Sequence, residues 1–136
     1  MVNGGVGTLS DVSYREFDGR AAVTYPAPHG TESFVLLDDT AVEFGRGAQC
    51  PLRFAYAPVA DEGVPRVAGR FVVGGGRVFV EAVDAPGRSA LQLTIEGRPQ
   101  VLVASGDAFS PREPSFTIGV RGTTETWHLN VDYVCA

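Results

Sequence analysis

From residue 20 onward the chain is a succession of short apolar runs, and several of them alternate with a period of two. In Trp127-His128-Leu129-Asn130-Val131-Asp132-Tyr133 and in Leu91-Gln92-Leu93-Thr94-Ile95 the odd-numbered residues are apolar. Side chains of an extended strand point alternately to its two faces, so this pattern marks strands with one face buried and one in water. The runs cover residues 20–25, 33–37, 41–44, 52–56, 69–73, 77–83, 91–95, 100–104, 115–120 and 125–134. Turn residues separate them. Pro26-Ala27-Pro28 ends the first run, Asp38-Asp39 the second, and Gly45-Arg46-Gly47 the third. Gly74-Gly75-Gly76, Glu96-Gly97-Arg98-Pro99 and Arg121-Gly122-Thr123-Thr124 each sit between two runs and predict three hairpins. No long window carries a helical period. Short strands with turns at regular spacing predict an all-β sandwich or barrel.

A chain of 136 residues fits one domain with a sizeable core. Residues 1–12 are Gly-rich and weakly patterned, and they read as a flexible N-terminal tail to a domain over 13–136. The 17 glycines and 9 prolines form no low-complexity tract and therefore mark turns. The net charge is −5, which argues against nucleic acid as a partner of this domain. No apolar run approaches the ~18 residues of a membrane-spanning helix, and Met1 to Gly7 lacks the basic and apolar parts of a secretory signal. These features predict a cytoplasmic protein. Cys50 and Cys135 are 85 positions apart and have no CxxC neighbour. They read as free thiols; a disulfide would require the fold to bring them together.

Signatures of catalysis and of cofactor binding are missing. There is no GxxxxGK[ST] loop and no GxSxG elbow. Gly4-Gly5-Val6-Gly7 neither follows a strand nor opens a helix, so it is no dinucleotide loop. His29 sits in a Pro/Gly loop, and His128 falls on the polar face of a strand. The pairs Asp38-Asp39 and Asp61-Glu62 read as solvated turn carboxylates without metal-ligand spacing. Trp127 reads as a core anchor. Arginines beside turns remain: Arg46, Arg66 in Val64-Pro65-Arg66, and Arg88 in Gly87-Arg88-Ser89. Loops at one end of a sandwich are where such folds bind partners.

The order of these loops resembles the forkhead-associated (FHA) family. That family is an 11-stranded β-sandwich, of SMAD/FHA type, that binds phosphothreonine peptides. Its pattern runs Gly-Arg, then Ser-Arg-x-His, then Ser-Thr-Asn-Gly-Thr-x-Val-Asn-Gly, then Gly-Asp. Gly45-Arg46 is similar to the first element. Pro65-Arg66-Val67-Ala68 falls at the second, Ser89-Ala90-Leu91-Gln92-Leu93 at the third, and Gly106-Asp107 at the fourth. The resemblance spans roughly residues 34–133. It implies a two-sheet antiparallel β-sandwich that binds a protein partner through Arg46, Pro65, Arg66, Arg88 and Ser89, with no catalysis, metal or cofactor.

The departures shape the functional expectation. In the family, the loop Arg and the Ser hydroxyl hold the phosphate, and the Asn amide holds the ligand backbone. Here the Ser position is Pro65, the His position is Ala68, and the Asn position is Leu91. Losing one charged and one neutral hydrogen bond removes ~2–4.5 kcal/mol, or about 30- to 2000-fold in affinity. The resemblance therefore implies an interaction module with a degenerate phosphothreonine pocket, binding independently of phosphate. Two alternatives stand beside it. One is a noncanonical phosphopeptide binder with an Arg46, Arg66 and Arg88 clamp. The other is a small β-sandwich hydrolase or carbohydrate-binding domain, which would show a deep pocket lined by His128 or Trp127 and carboxylates.

Overall fold

The computed structural model of the protein describes residues 21–83 and 90–133. The expected tail (residues 1–12), Arg88, Ser89 and Cys135 lie outside the described residues. Eleven strands are described: β1 (Ala21–Ala27), β2 (Gly30–Leu36), β3 (Thr40–Gly45), β4 (Leu52–Arg53), β5 (Gly69–Gly74), β6 (Arg77–Ala82), β7 (Leu91–Thr94), β8 (Val101–Val103), β9 (Ala108–Phe109), β10 (Ser115–Arg121) and β11 (Thr126–Tyr133). One sheet has the order β2-β1-β11-β10-β7-β8, the other β4-β3-β5-β6-β9. The β3–β4 pair is parallel. The other pairs are antiparallel. The all-β, two-sheet expectation holds.

The three expected hairpins form. β5 and β6 close with Gly74 opposite Arg77. Between them Gly75 and Gly76 have φ of 62° and 75°, the left-handed pair whose twist matches that of the flanking strands. β10 and β11 close at Arg121 opposite Thr126, with Gly122 N–H donating to Glu125 O at 2.8 Å. β7 and β8 pair Leu91 with Val103.

The period-two residues meet between the sheets. Val23, Leu36, Leu93, Ile118, Leu129 and Val131 from the first sheet face Phe44, Leu52, Phe71, Val73, Val78 and Val80 from the second. Phe44 and Phe71 form the aromatic centre, with ring centroids 5.0 Å apart. His128, Asn130 and Asp132 lie exposed on the opposite face of β11, as the alternation requires.

Two readings need correction, and one strand had no reading. Pro26 does not end the first strand, which continues to Ala27 paired with β2. The β11 ladder on its other side stops at Thr24, and a proline is tolerated on such an open flank. The run 52–56 yields only the two residues of β4, because Ala55 adopts a left-handed φ of 61° and turns the chain away. β9 carries no sequence signal and forms because β6 offers it an edge.

β6 also shows how a short strand is completed by side chains. Its pairing with β9 covers only Val80 and Glu81. At the buried Val78, the N–H instead donates to the Tyr133 hydroxyl at 2.8 Å, and the C=O accepts from the Ser110 hydroxyl at 2.8 Å. Tyr133 thus bonds one sheet to the other. Tyr133→Phe is expected to lower stability by about 1–2 kcal/mol, the toll of stranding one buried N–H. Urea denaturation of the variant against the parent measures it.

Candidate partner-binding site

The loops after β3, before β5 and between β10 and β11 gather at one end of the sandwich. The β3–β4 loop and the β4–β5 loop lie backbone to backbone. Arg46 N–H donates to Pro65 O at 3.0 Å, Gly47 N–H to Arg66 O at 2.8 Å, and Ala68 N–H to Phe44 O at 2.8 Å. Gly45 permits this approach. A Cβ there would stand 2.6 Å from Arg66 O and 2.8 Å from Ala68 N. Arg46, Pro65 and Arg66 are therefore neighbours.

Their chemistry is uneven. Arg46 donates Nε–H to Val64 O at 2.9 Å, so part of its guanidinium holds the neighbouring loop. Arg66 is exposed. Pro65 has neither hydroxyl nor N–H to offer a ligand. Leu91 is 3% exposed and belongs to the core, and Ala68 is buried. Gly106-Asp107 forms the turn before β9, with Gly106 N–H donating to Ala82 O and Ala82 N–H to Asp107 O.

A third arginine joins the first two. Arg53 donates Nε–H to Arg46 O at 3.0 Å, and its guanidinium lies 4.1 Å from the centroid of the Tyr56 ring. In sequence it is only the polar residue between Leu52 and Phe54, and nothing there points to the Arg46 loop. Cys50 sits beneath this loop, buried, with its thiol donating to Arg66 O at 3.2 Å. Burial pushes that thiol up, and it stays protonated as a structural donor.

Asp61-Glu62 does not behave as a solvated pair. Glu62 is exposed, but Asp61 is buried at 8% exposure. Its Oδ1 accepts from Gly63 N–H at 3.0 Å and Thr123 N–H at 2.8 Å, and its Oδ2 from Trp127 Nε1–H at 2.9 Å. Burial by itself would raise the carboxyl, but the donors from Trp127, Thr123 and Gly63 more than offset it. The carboxyl is held at about 2. Asp61 thereby fastens the β4–β5 loop to the β10–β11 turn. Asp38-Asp39 is exposed in the β2–β3 turn, as expected.

Trp127 packs beside the core, its ring 6.0 Å from that of Phe54. With Asp61, Glu62, Thr123 and Glu125 it lines an open cleft of about 360 Å³. His128 lies elsewhere, exposed on the outer sheet face opposite Gly119, and His29 is exposed in the β1–β2 turn. A carboxylate engaged by three N–H donors and held at about 2 is a poor base at neutral pH. Among the described residues no group of three or more His, Cys, Asp or Glu could hold a metal ion.

No protein-family model matches the chain, and no curated protein matches it in sequence. Solved structures do match in fold. The solution structure of the FHA domain of an Arabidopsis thaliana hypothetical protein has a TM-score of 0.62 at 10% identity, covering 100% of this chain and 97% of that one. The MEK1 FHA domain has a TM-score of 0.60 at 10% identity, covering 93% and 100%. The FHA domain of human APLF, in complex with an XRCC1 bisphospho peptide, has a TM-score of 0.57 at 11% identity, covering 83% and 99%. Identities this low bear on the fold alone. With its eleven described strands in two sheets and its loops clustered at one end, the chain has an FHA-like fold.

Proposed function

We propose that the protein is a non-catalytic interaction module that grips a protein partner at these end loops without reading phosphothreonine. The observation that carries the reading is Leu91. It fills the core, and the resemblance aligns it with the family's ligand-holding Asn and Pro65 with the phosphate-binding Ser. The human APLF domain, of similar fold, is bound to a bisphospho peptide. Arg46, which the resemblance aligns with the arginine of such a pocket, turns its Nε–H to Val64 O.

A second reading rests on Arg53. Arg53 bonds the backbone of the Arg46 loop, which in turn bonds the backbone of the Arg66 loop, so three arginines issue from adjoining loops and could clamp a phosphate by charge alone. One titration separates the two. Phosphothreonine peptides and their unphosphorylated counterparts are expected to bind alike, within about threefold, less than half a decade of affinity. Tight binding that requires the phosphate and disappears in Arg46→Ala would overturn the first reading and establish the second.

A further inference from the structure

β2 is an edge strand, and β1 is its only strand neighbour among the described residues. Natural sheets blunt their edges with lysine, proline, bulges or brevity. The other edges here are short: three residues in β8, two in β4 and two in β9. β2 is different. It runs seven residues, Gly30–Leu36, paired one to one with β1 and without a bulge. It contains no proline and no basic residue, and its single charge, Glu32, accepts from the Tyr25 hydroxyl at 3.2 Å. Of the four large hydrophobic residues that stand exposed among the described residues, one is in β2 and one just beyond its end: Val35 at 55% and Leu37 at 53%.

The edge of β2 away from β1, open among the described residues, has a definite hydrogen-bonding pattern. The two-residue turn Pro28-His29 makes Ala27 and Gly30 a hydrogen-bonded pair. Alternation then turns the N–H and C=O groups of Gly30, Glu32, Phe34 and Leu36 toward β1. Those of Thr31, Ser33 and Val35 point outward.

We propose that β2 pairs antiparallel with β2 of a second copy of this chain about a two-fold axis, joining the two six-stranded sheets into one. Such an interface is isologous, so the strand must complement itself. Charge and pattern select the register. An axis at Val35 would set Glu32 opposite Asp38 of the second copy, two like charges. An axis at Ser33 would set Glu32 against Phe34. An axis at Phe34 sets the two Phe34 rings together and pairs Ser33 with Val35 and Thr31 with Leu37. No like charges then stand directly opposite each other, the outward N–H and C=O groups of both strands match, and the exposed Val35 and Leu37 gain cross-strand neighbours in Ser33 and Thr31. Phe34 is half-buried at the rim of the core, where a strand beyond β2 would complete its cover.

Light scattering and sedimentation equilibrium of the full chain, from low micromolar to millimolar concentration, test this. The parent is expected to show a monomer–dimer equilibrium. Val35→Pro removes one outward N–H and leaves the β1 ladder whole, so it folds but dimerises less. Val35→Lys places like charges beside the axis without touching the backbone. Each variant is expected to raise the dissociation constant by about tenfold or more, at least one decade. A parent that stays monomeric throughout, including one that pairs β2 only with a foreign peptide, would overturn the proposal. So would a dimer that survives both substitutions. Neither outcome depends on whether the end loops read phosphate.

Discussion

Asp61→Ala is expected to lower the unfolding free energy by about 3–4 kcal/mol, measured as a shift in the urea midpoint at constant slope. Three N–H donors lose their acceptor at once: Gly63, Thr123 and the Trp127 indole. The loss is larger than for a surface carboxylate because Asp61 is 8% exposed and water replaces it poorly. Asp61→Asn is expected to recover part of it, since one carbonyl oxygen remains while the amide N–H₂ meets another donor. The pH dependence follows from the depressed carboxyl. A group held at about 2 in the folded state, against an ordinary 3.8, binds its proton more readily when unfolded. Its contribution is therefore complete above about pH 4 and is lost as pH falls through about 2. Over that window the parent should lose more stability than Asp61→Asn, and the two curves should converge in acid. Curves that run parallel from neutral pH to pH ~2 would show that the carboxylate contributes no linked stability.

Gly45→Ala is expected to be comparably damaging, at about 3 kcal/mol or more. The new methyl would press on Arg66 O, Ala68 N and Pro65 O, all backbone atoms that cannot swing aside. Relief requires the two loops to separate, which breaks the bonds from Arg46 N–H to Pro65 O and from Gly47 N–H to Arg66 O. Amide hydrogen exchange at residues 46 and 47 should accelerate even at temperatures where the variant remains folded. Gly74→Ala serves as the control. A Cβ there meets nothing within 4 Å, so its effect is expected to stay within about 0.5 kcal/mol. If Gly45→Ala were as mild as the control, the close approach of the two loops would not be a determinant of the fold.

Most of the succession of strands along the chain was legible because its signals are local. Alternation places Leu129 and Val131 inward within a few residues, and Gly75-Gly76 closes its hairpin without help from the rest of the chain. What escaped depends on distance along the chain. Asp61 looks like half of a solvated pair until Thr123 and Trp127, 62 and 66 residues later, arrive beside it. Arg53 looks like the outward residue of a strand until the loop of Arg46 folds over it. β4 and β9 are two residues each and owe their form to the strands they meet. At the site, sequence could not say whether the arginines converge; the backbone bonds between the two loops bring Arg46 beside Pro65 and Arg66. The burial of Leu91 came from the same alternation that marked its strand.

The paired backbone hydrogen bonds between the Arg46 and Pro65 loops have a kinetic consequence. Ordering a flexible residue on binding costs roughly 1–2 kcal/mol. Loops already fastened to each other have little of that freedom left to lose. If the proposed binding at this end holds, a ligand docking there meets a surface with its shape set in advance. Encounter is then governed by diffusion and charge, and differences among related ligands are written in how slowly each one leaves.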